Sequence, residues 1–201
     1  MSSARRPGGR TARTRAAVLA AVQEELLDHG VDGLTVDGVA ERAGVHRATV
    51  YRRWRDVGGL LADALTAGRE DGWQPADHGS LAADLVALNR DVVEHVAGER
   101  SLGRALIIAS YRSPAAAAAL HEFLDDRYRR CEVVVDRAVA RGEAPAGTDA
   151  RRLLVAATAP LYHEILLLGG TVDDALAVRC ATDVARAAAA GIYSKGLASP
   201  P

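Results

Sequence analysis

Apolar residues recur along this chain every three to four positions, and sustained alternation of the kind that builds strands is missing. Val18, Leu19, Val22, Leu26 and Leu27 form one stripe, which predicts a helix over about 11–29 with Gly30 as its natural stop. Val36, Val39, Ala40 and Ala43 follow the i, i+3, i+4, i+7 pattern of a short helix capped by Thr35. Gly44 breaks it. Two more short helices are expected over about 47–54 and 57–67.

The later helices are marked by their starts. Ser80, Ser101, Ser113 before Pro114, Asp149, and Thr171 with Asp173 and Asp174 are N-cap signals. They open segments over about 80–97, 101–112, 114–141, 149–168 and 172–192. GREDGWQPADHG at 68–79 and GEAPAGTD at 142–149 have the Gly, Pro and acidic content of connections. The expected fold class is all-α, about nine helices, in two groups. An N-terminal three-helix helix-turn-helix domain covers 11–67, and a unit of longer helices covers 68–201. Residues 1–10, rich in Gly, Ser, Pro and Arg, read as a disordered basic arm.

Charge changes the picture of the first group only. Residues 1–60 hold ten Arg against seven Asp and Glu, so the formal net charge of −1 divides into +3 there and −4 over 61–201. A basic front on an acidic remainder suggests that the first part meets a polyanion. Arg5, Arg6, Arg10, Arg13 and Arg15 read either as a flexible arm following a minor groove or as a solubilising tail, with Arg13 and Arg15 opening the first helix. Apolar runs such as 165–168 are far short of the roughly 18 residues of a membrane span, so no membrane partner is expected. Cys131 and Cys180 form no CxxC pair, which fits a reducing compartment, the cytoplasm, without a metal or disulfide framework.

Two short helices split by Ala-Gly-Val have helix-turn-helix spacing. Gly44 suits the left-handed backbone of the turn. At 100° per residue, Val50 and Trp54 fall about 40° apart and face inward with Val39, Ala40 and Val45. Ala48, Thr49, Tyr51, Arg52 and Arg55 project from the opposite arc, and His46 and Arg47 stand at the helix start, the end nearest base edges. Arginine there suits guanine and phosphates, and Tyr and Thr suit the backbone.

LTVDGVAERAGVHRATVYRRWRD closely resembles the DNA-binding segment of the TetR-type transcriptional regulators. The matching positions are Thr35, Ala43-Gly44-Val45, Thr49-Val50-Tyr51 and Trp54, with Leu60 and Leu61 as buried leucines of the next helix. The resemblance is specific over about 11–65 and architectural beyond. It implies contacts to a double-stranded DNA operator from Thr35, His46, Arg47, Ala48, Thr49, Tyr51, Arg52 and Arg55. It also implies a C-terminal ligand-binding and dimerisation domain, and repression of transcription. One position departs from the pattern. Where most members open the fourth helix near a lysine, this chain has Val57-Gly58-Gly59, leaving Arg55 as the substitute and two glycines to loosen the helix start.

In the second group, Tyr111, His121, Phe123, Tyr128, Tyr162 and His163 lie on otherwise apolar helical faces and are candidates for effector contact, although each taken singly reads better as packing or surface. With aromatics at 4% of the chain, walls of Leu, Val, Ile and Ala suit a small apolar or amphipathic effector. Leu161, Ile165 and Leu168, then Leu176, Cys180, Val184 and Ala188, recur at intervals of three or four on the last two long helices and suit pairing in a homodimer. No GxxxxGK[ST], GxGxxG, HExxH or GxSxG is present, so neither an enzyme nor a cofactor is expected. The runner-up reading is a helical enzyme or interaction adaptor without DNA function.

Overall fold

The computed structural model describes residues 8–69, 72–98 and 100–195. Of the basic arm expected at 1–10, residues 1–7 lie outside that range, and the rest begin a helix. Among the described residues there are nine α-helices and no strand. They are α1 (Gly8–Gly33), α2 (Val36–Arg42), α3 (Arg47–Trp54), α4 (Val57–Arg69), α5 (Leu81–Val96), α6 (Leu102–Ser110), α7 (Pro114–Ala140), α8 (Ala150–Tyr162) and α9 (Asp174–Ala189). A π-helical turn, His163–Leu168, continues α8.

The caps are those the sequence marks, except that the last helix is capped by Asp173 rather than Thr171 and so opens two residues later than expected. Thr35, Ser80, Ser101, Asp149 and Asp173 each accept a hydrogen bond from a backbone N–H three residues on, satisfying donors that a helix start leaves free. Gly30 does interrupt α1: its φ of 68° and ψ of −172° are non-helical, and only a short turn follows.

The chain divides into two compact units. One comprises Met1–Asp71 and Glu99–Phe123, the other Gly72–Gly98 and Leu124–Pro201. In the first, α1 packs on α2, α4 and α6, around Val18, Val22, Leu26, Val39, Val50, Leu60 and Leu61. Ala105 and Leu106 of α6 are buried in the same core, so residues beyond 100 complete the cluster that 11–67 begins. In the second, α5, α8 and α9 pack together over Leu81, Leu85, Val134, Leu153 and Ala181. Asn89, buried on α5, donates to the Ala177 carbonyl of α9 at 2.9 Å, and Arg90 grips Asp174 at 2.6 Å. No described helix is long and apolar enough to cross a membrane.

Candidate nucleic-acid interface

The frame of the interface is α2, a turn and α3. Thr35 Oγ1 accepts from Gly38 N at 3.0 Å. At the other end of α2, Gly44 sits at φ 62°, its N–H donates to the Glu41 carbonyl at 3.0 Å, and Val45 N–H reaches the Ala40 carbonyl at 2.9 Å. This pair of bonds closes the helix in the Schellman manner and needs a left-handed residue where Gly44 stands. Arg42 then ties α2 to α1, its guanidinium meeting Glu25 at 2.6 Å and Asp28 at 2.7 Å.

His46 caps α3: its Nδ1 accepts from Ala48 N at 3.3 Å. Val50 and Trp54 are buried, as the helical arc predicts. Arg47, Ala48, Tyr51, Arg52 and Arg55 are exposed, and Thr49 is half-buried. Among the described residues no carboxylate pairs with Arg47, Arg52 or Arg55, whereas Arg15, Arg42, Arg90 and Arg141 all hold acids.

The end of α3 is unusually tight. Arg55, the one non-glycine with positive φ among the described residues, has φ 64° and ψ −51°, and Asp56 N–H reaches the Trp54 carbonyl at 2.7 Å across it. That is a γ-turn, a strained conformation for an L-residue. Asp56 then caps α4, accepting from Gly59 N at 2.8 Å. The glycines at 58 and 59 are not the slack that helix propensity suggests. A Cβ at Gly59 would run into the Trp54 carbonyl oxygen, and one at Gly58 into the Ser113 side chain. They are there for close approach.

Asp63 is a site residue that the motif does not reveal. It accepts from Trp54 Nε1 at 2.8 Å and from Arg15 Nη2 at 2.7 Å, so one carboxylate joins α1, α3 and α4. Burial pushes its pKa up, but hydrogen bonds from Arg15 and Trp54 and the charges of Arg15 and Arg53 outweigh this and hold it below the usual carboxylate value. Arg15 therefore serves inside α1 rather than in a trailing arm. Its signal lies 48 residues from its partner, out of reach of a local pattern.

Of the effector candidates, Tyr111, His121 and Phe123 belong to the first unit and Tyr128, Tyr162 and His163 to the second. Tyr111 is 84% exposed, His121 is exposed, and Phe123 packs on the first core. Tyr128 Oη lies 3.0 Å from Thr158 Oγ1, with the Arg151 guanidinium over its ring. Burial pushes the Tyr162 hydroxyl up, with Tyr128 and Cys131 adding to the effect. Burial also raises the Cys131 thiol, to about 12, which rules out a ready thiolate. Tyr128 and Tyr162 are both half-buried, while His163 is exposed. A cleft of about 470 Å³ in the second unit, lined by Glu132, Val135, Asp136, Val139 and Gly147, includes none of the six.

Of the pairing candidates, Leu161, Ile165, Val184 and Ala188 are buried within the second unit. Leu168 is 62% exposed, Leu176 and Cys180 half-buried, and Leu167 is exposed beside them. On the first of the two helices the π-helical turn accounts for the split, because its wider winding carries Leu168 off the buried face of Leu161 and Ile165. Among the described residues no group of His, Cys, Asp and Glu gathers as metal ligands.

Residues 18–64 match the family described as "Bacterial regulatory proteins, tetR family", and residues 75–184 the "Tetracyclin repressor-like, C-terminal domain". An uncharacterized HTH-type transcriptional regulator of Mycobacterium tuberculosis is 36% identical over 127 residues, and the match spans 63% of each chain. A protein of Mycobacteroides abscessus named "DNA-binding transcriptional repressor TetR" is 32% identical over 178 residues, 84% of this chain and 90% of that one. The crystal structure of the TetR-family transcription regulator SCO0332 is similar at 30% identity and a TM-score of 0.67, covering 86% of this chain and 97% of that one. Both parts of the fold, in the same order along one chain, place this protein in the TetR family of regulatory proteins.

Proposed function

We infer that this protein is a DNA-binding transcriptional regulator, a cytoplasmic repressor that holds a palindromic operator as a homodimer and lets go when a small effector binds. The observation that carries this is the set of exposed, unpaired Arg47, Arg52 and Arg55 on a rigidly capped helix-turn-helix. Thr35, His46, Ala48, Thr49 and Tyr51 complete the face. Leu168, Leu176 and Cys180 form the accessible part of the pairing surface, with Leu161, Ile165, Val184 and Ala188 as the core behind them. Pairing would set two recognition helices about 34–36 Å apart, one major groove each. Repression follows the name of the M. abscessus relative. An apolar or amphipathic effector suits the interior around Tyr128 and Tyr162 in the second unit.

The test is fluorescence anisotropy on an operator recovered by genomic footprinting. Affinity should fall steeply with salt, by a log–log slope of about −0.9 per phosphate neutralised. Arg52→Ala should weaken binding and flatten that slope by about one without altering the melting curve. Absence of DNA binding at low salt would overturn the reading in favour of a helical adaptor or enzyme.

A further inference from the structure

The start of α3 carries an uncommon cap. Helix N-caps favour Ser, Thr, Asp and Asn, whose short side chains accept from the backbone and cannot also reach outward. Here the cap is His46, a ring with two nitrogens on opposite edges. Its Nδ1 accepts from the Ala48 N–H at 3.3 Å. A nitrogen that accepts carries no proton, so in the neutral ring the proton is on Nε2. The cap therefore fixes the tautomer.

That tautomer faces the right surroundings for reading a base. His46 is exposed, Arg47 beside it is exposed and unpaired, and Ala48 is too small to cover the ring. Thr35, the cap of α2, has its hydroxyl engaged by Gly38 N and offers no second edge of comparable reach. Nε2–H is a donor only. In the major groove it complements guanine N7 and O6, adenine N7 and thymine O4, and it opposes the amino group of cytosine, which is itself a donor.

We propose that His46 is a specificity-determining residue that presents Nε2–H as a fixed donor to an acceptor on one base edge of each half-site. This rests on the reading that α3 meets DNA. Capping and base reading are coupled in one ring: the bond that orders the first turn of α3 also orients the edge that reads and keeps the ring proton on that edge. A serine or asparagine cap would order the helix equally well but leave that base position unread.

Two measurements on the full chain test it. The first is a long-range proton–nitrogen NMR spectrum of the imidazoles in free, histidine-labelled protein, with the His46 signals identified by their loss in His46→Ser. The expected pattern is the Nε2–H tautomer; a proton on Nδ1 overturns the proposal. The second is selection from random-sequence duplex DNA by the wild type, His46→Ser and His46→Gln. His46→Ser keeps a capping hydroxyl and removes the ring, whereas His46→Gln places an amide donor near the Nε2 position. The wild type should show roughly tenfold or greater preference at one position per half-site. His46→Ser should lose that preference and keep the others, and His46→Gln should recover part of it. If His46→Ser selects the same sequences as the wild type, or weakens all sequences uniformly as loss of a phosphate contact would, the proposal falls while DNA binding stands. If the wild type selects no sequence at all, both fall together.

Discussion

The indole N–H of Trp54 donates to Asp63 at 2.8 Å, and Arg15 closes on the same carboxylate from α1. The buried end of the recognition helix is thus held by a hydrogen bond as well as by packing. Asp63→Ala should destabilise the protein by about 1–3 kcal/mol in urea unfolding, since it leaves a buried donor unpaired. Asp63→Asn keeps an acceptor for Trp54 and should cost less. Because the Asp63 pKa is lowered on folding, its contribution is complete above the ordinary carboxylate range and fades as pH falls through the lower native value. Unfolding curves of wild type and Asp63→Asn should therefore converge in acid; curves that stay parallel would refute the assignment.

Arg55 occupies a strained γ-turn, a conformation costing about 1–3 kcal/mol for a residue with a Cβ. Arg55→Gly should raise thermal stability, by on the order of 1 kcal/mol after the greater freedom of glycine in the unfolded chain is counted. The same change removes an exposed cation and should weaken operator binding. Stability and affinity would then move in opposite directions, a pairing that a purely structural arginine could not give.

Gly59→Ala tests close approach at the start of α4. Helix propensity alone predicts a gain of about 1 kcal/mol. Contact with the Trp54 carbonyl predicts a larger loss, because backbone has no rotamer to yield. We expect a lower melting temperature for Gly59→Ala and for Gly58→Ala alike, since the carbon added at Gly58 meets the Cβ of Ser113 as well as its hydroxyl, and no rotamer moves that Cβ.

If the chain pairs through the proposed surface, Leu168→Glu should sediment as a monomer with an unchanged circular dichroism spectrum, because this leucine is 62% exposed in the single chain. Leu161→Glu, by contrast, places a charge in the subunit core and should unfold it. If Leu168→Glu remains dimeric, pairing uses another face.

What the sequence made legible was local. Caps such as Thr35 and Asp149 act over three residues, and the Schellman turn at Gly44 over five, so their chemistry lies within a short window. The arc of Val50 and Trp54 against Arg47 and Arg52 is likewise a matter of helical pitch. The bond from Arg15 to Asp63 was not legible, because only the tertiary fold brings those positions together. Gly58 and Gly59 were misread for the same reason: propensity describes an isolated helix and says nothing of a carbonyl pressed against it. Past Ile165, the ordinary helical spacing of Leu168 concealed the π-helical turn, whose winding differs while its composition does not.

The split make-up of the first unit bears on any attempt to rewire this protein. A chimera that moves only residues 8–69 onto a foreign sensor leaves Ala105 and Leu106 behind and strips the cover from α4. It also gives Gly58 no serine to rest against. The transplantable reader is discontinuous, and a working graft has to bring the segment from Leu102 to Phe123 along with the helix-turn-helix.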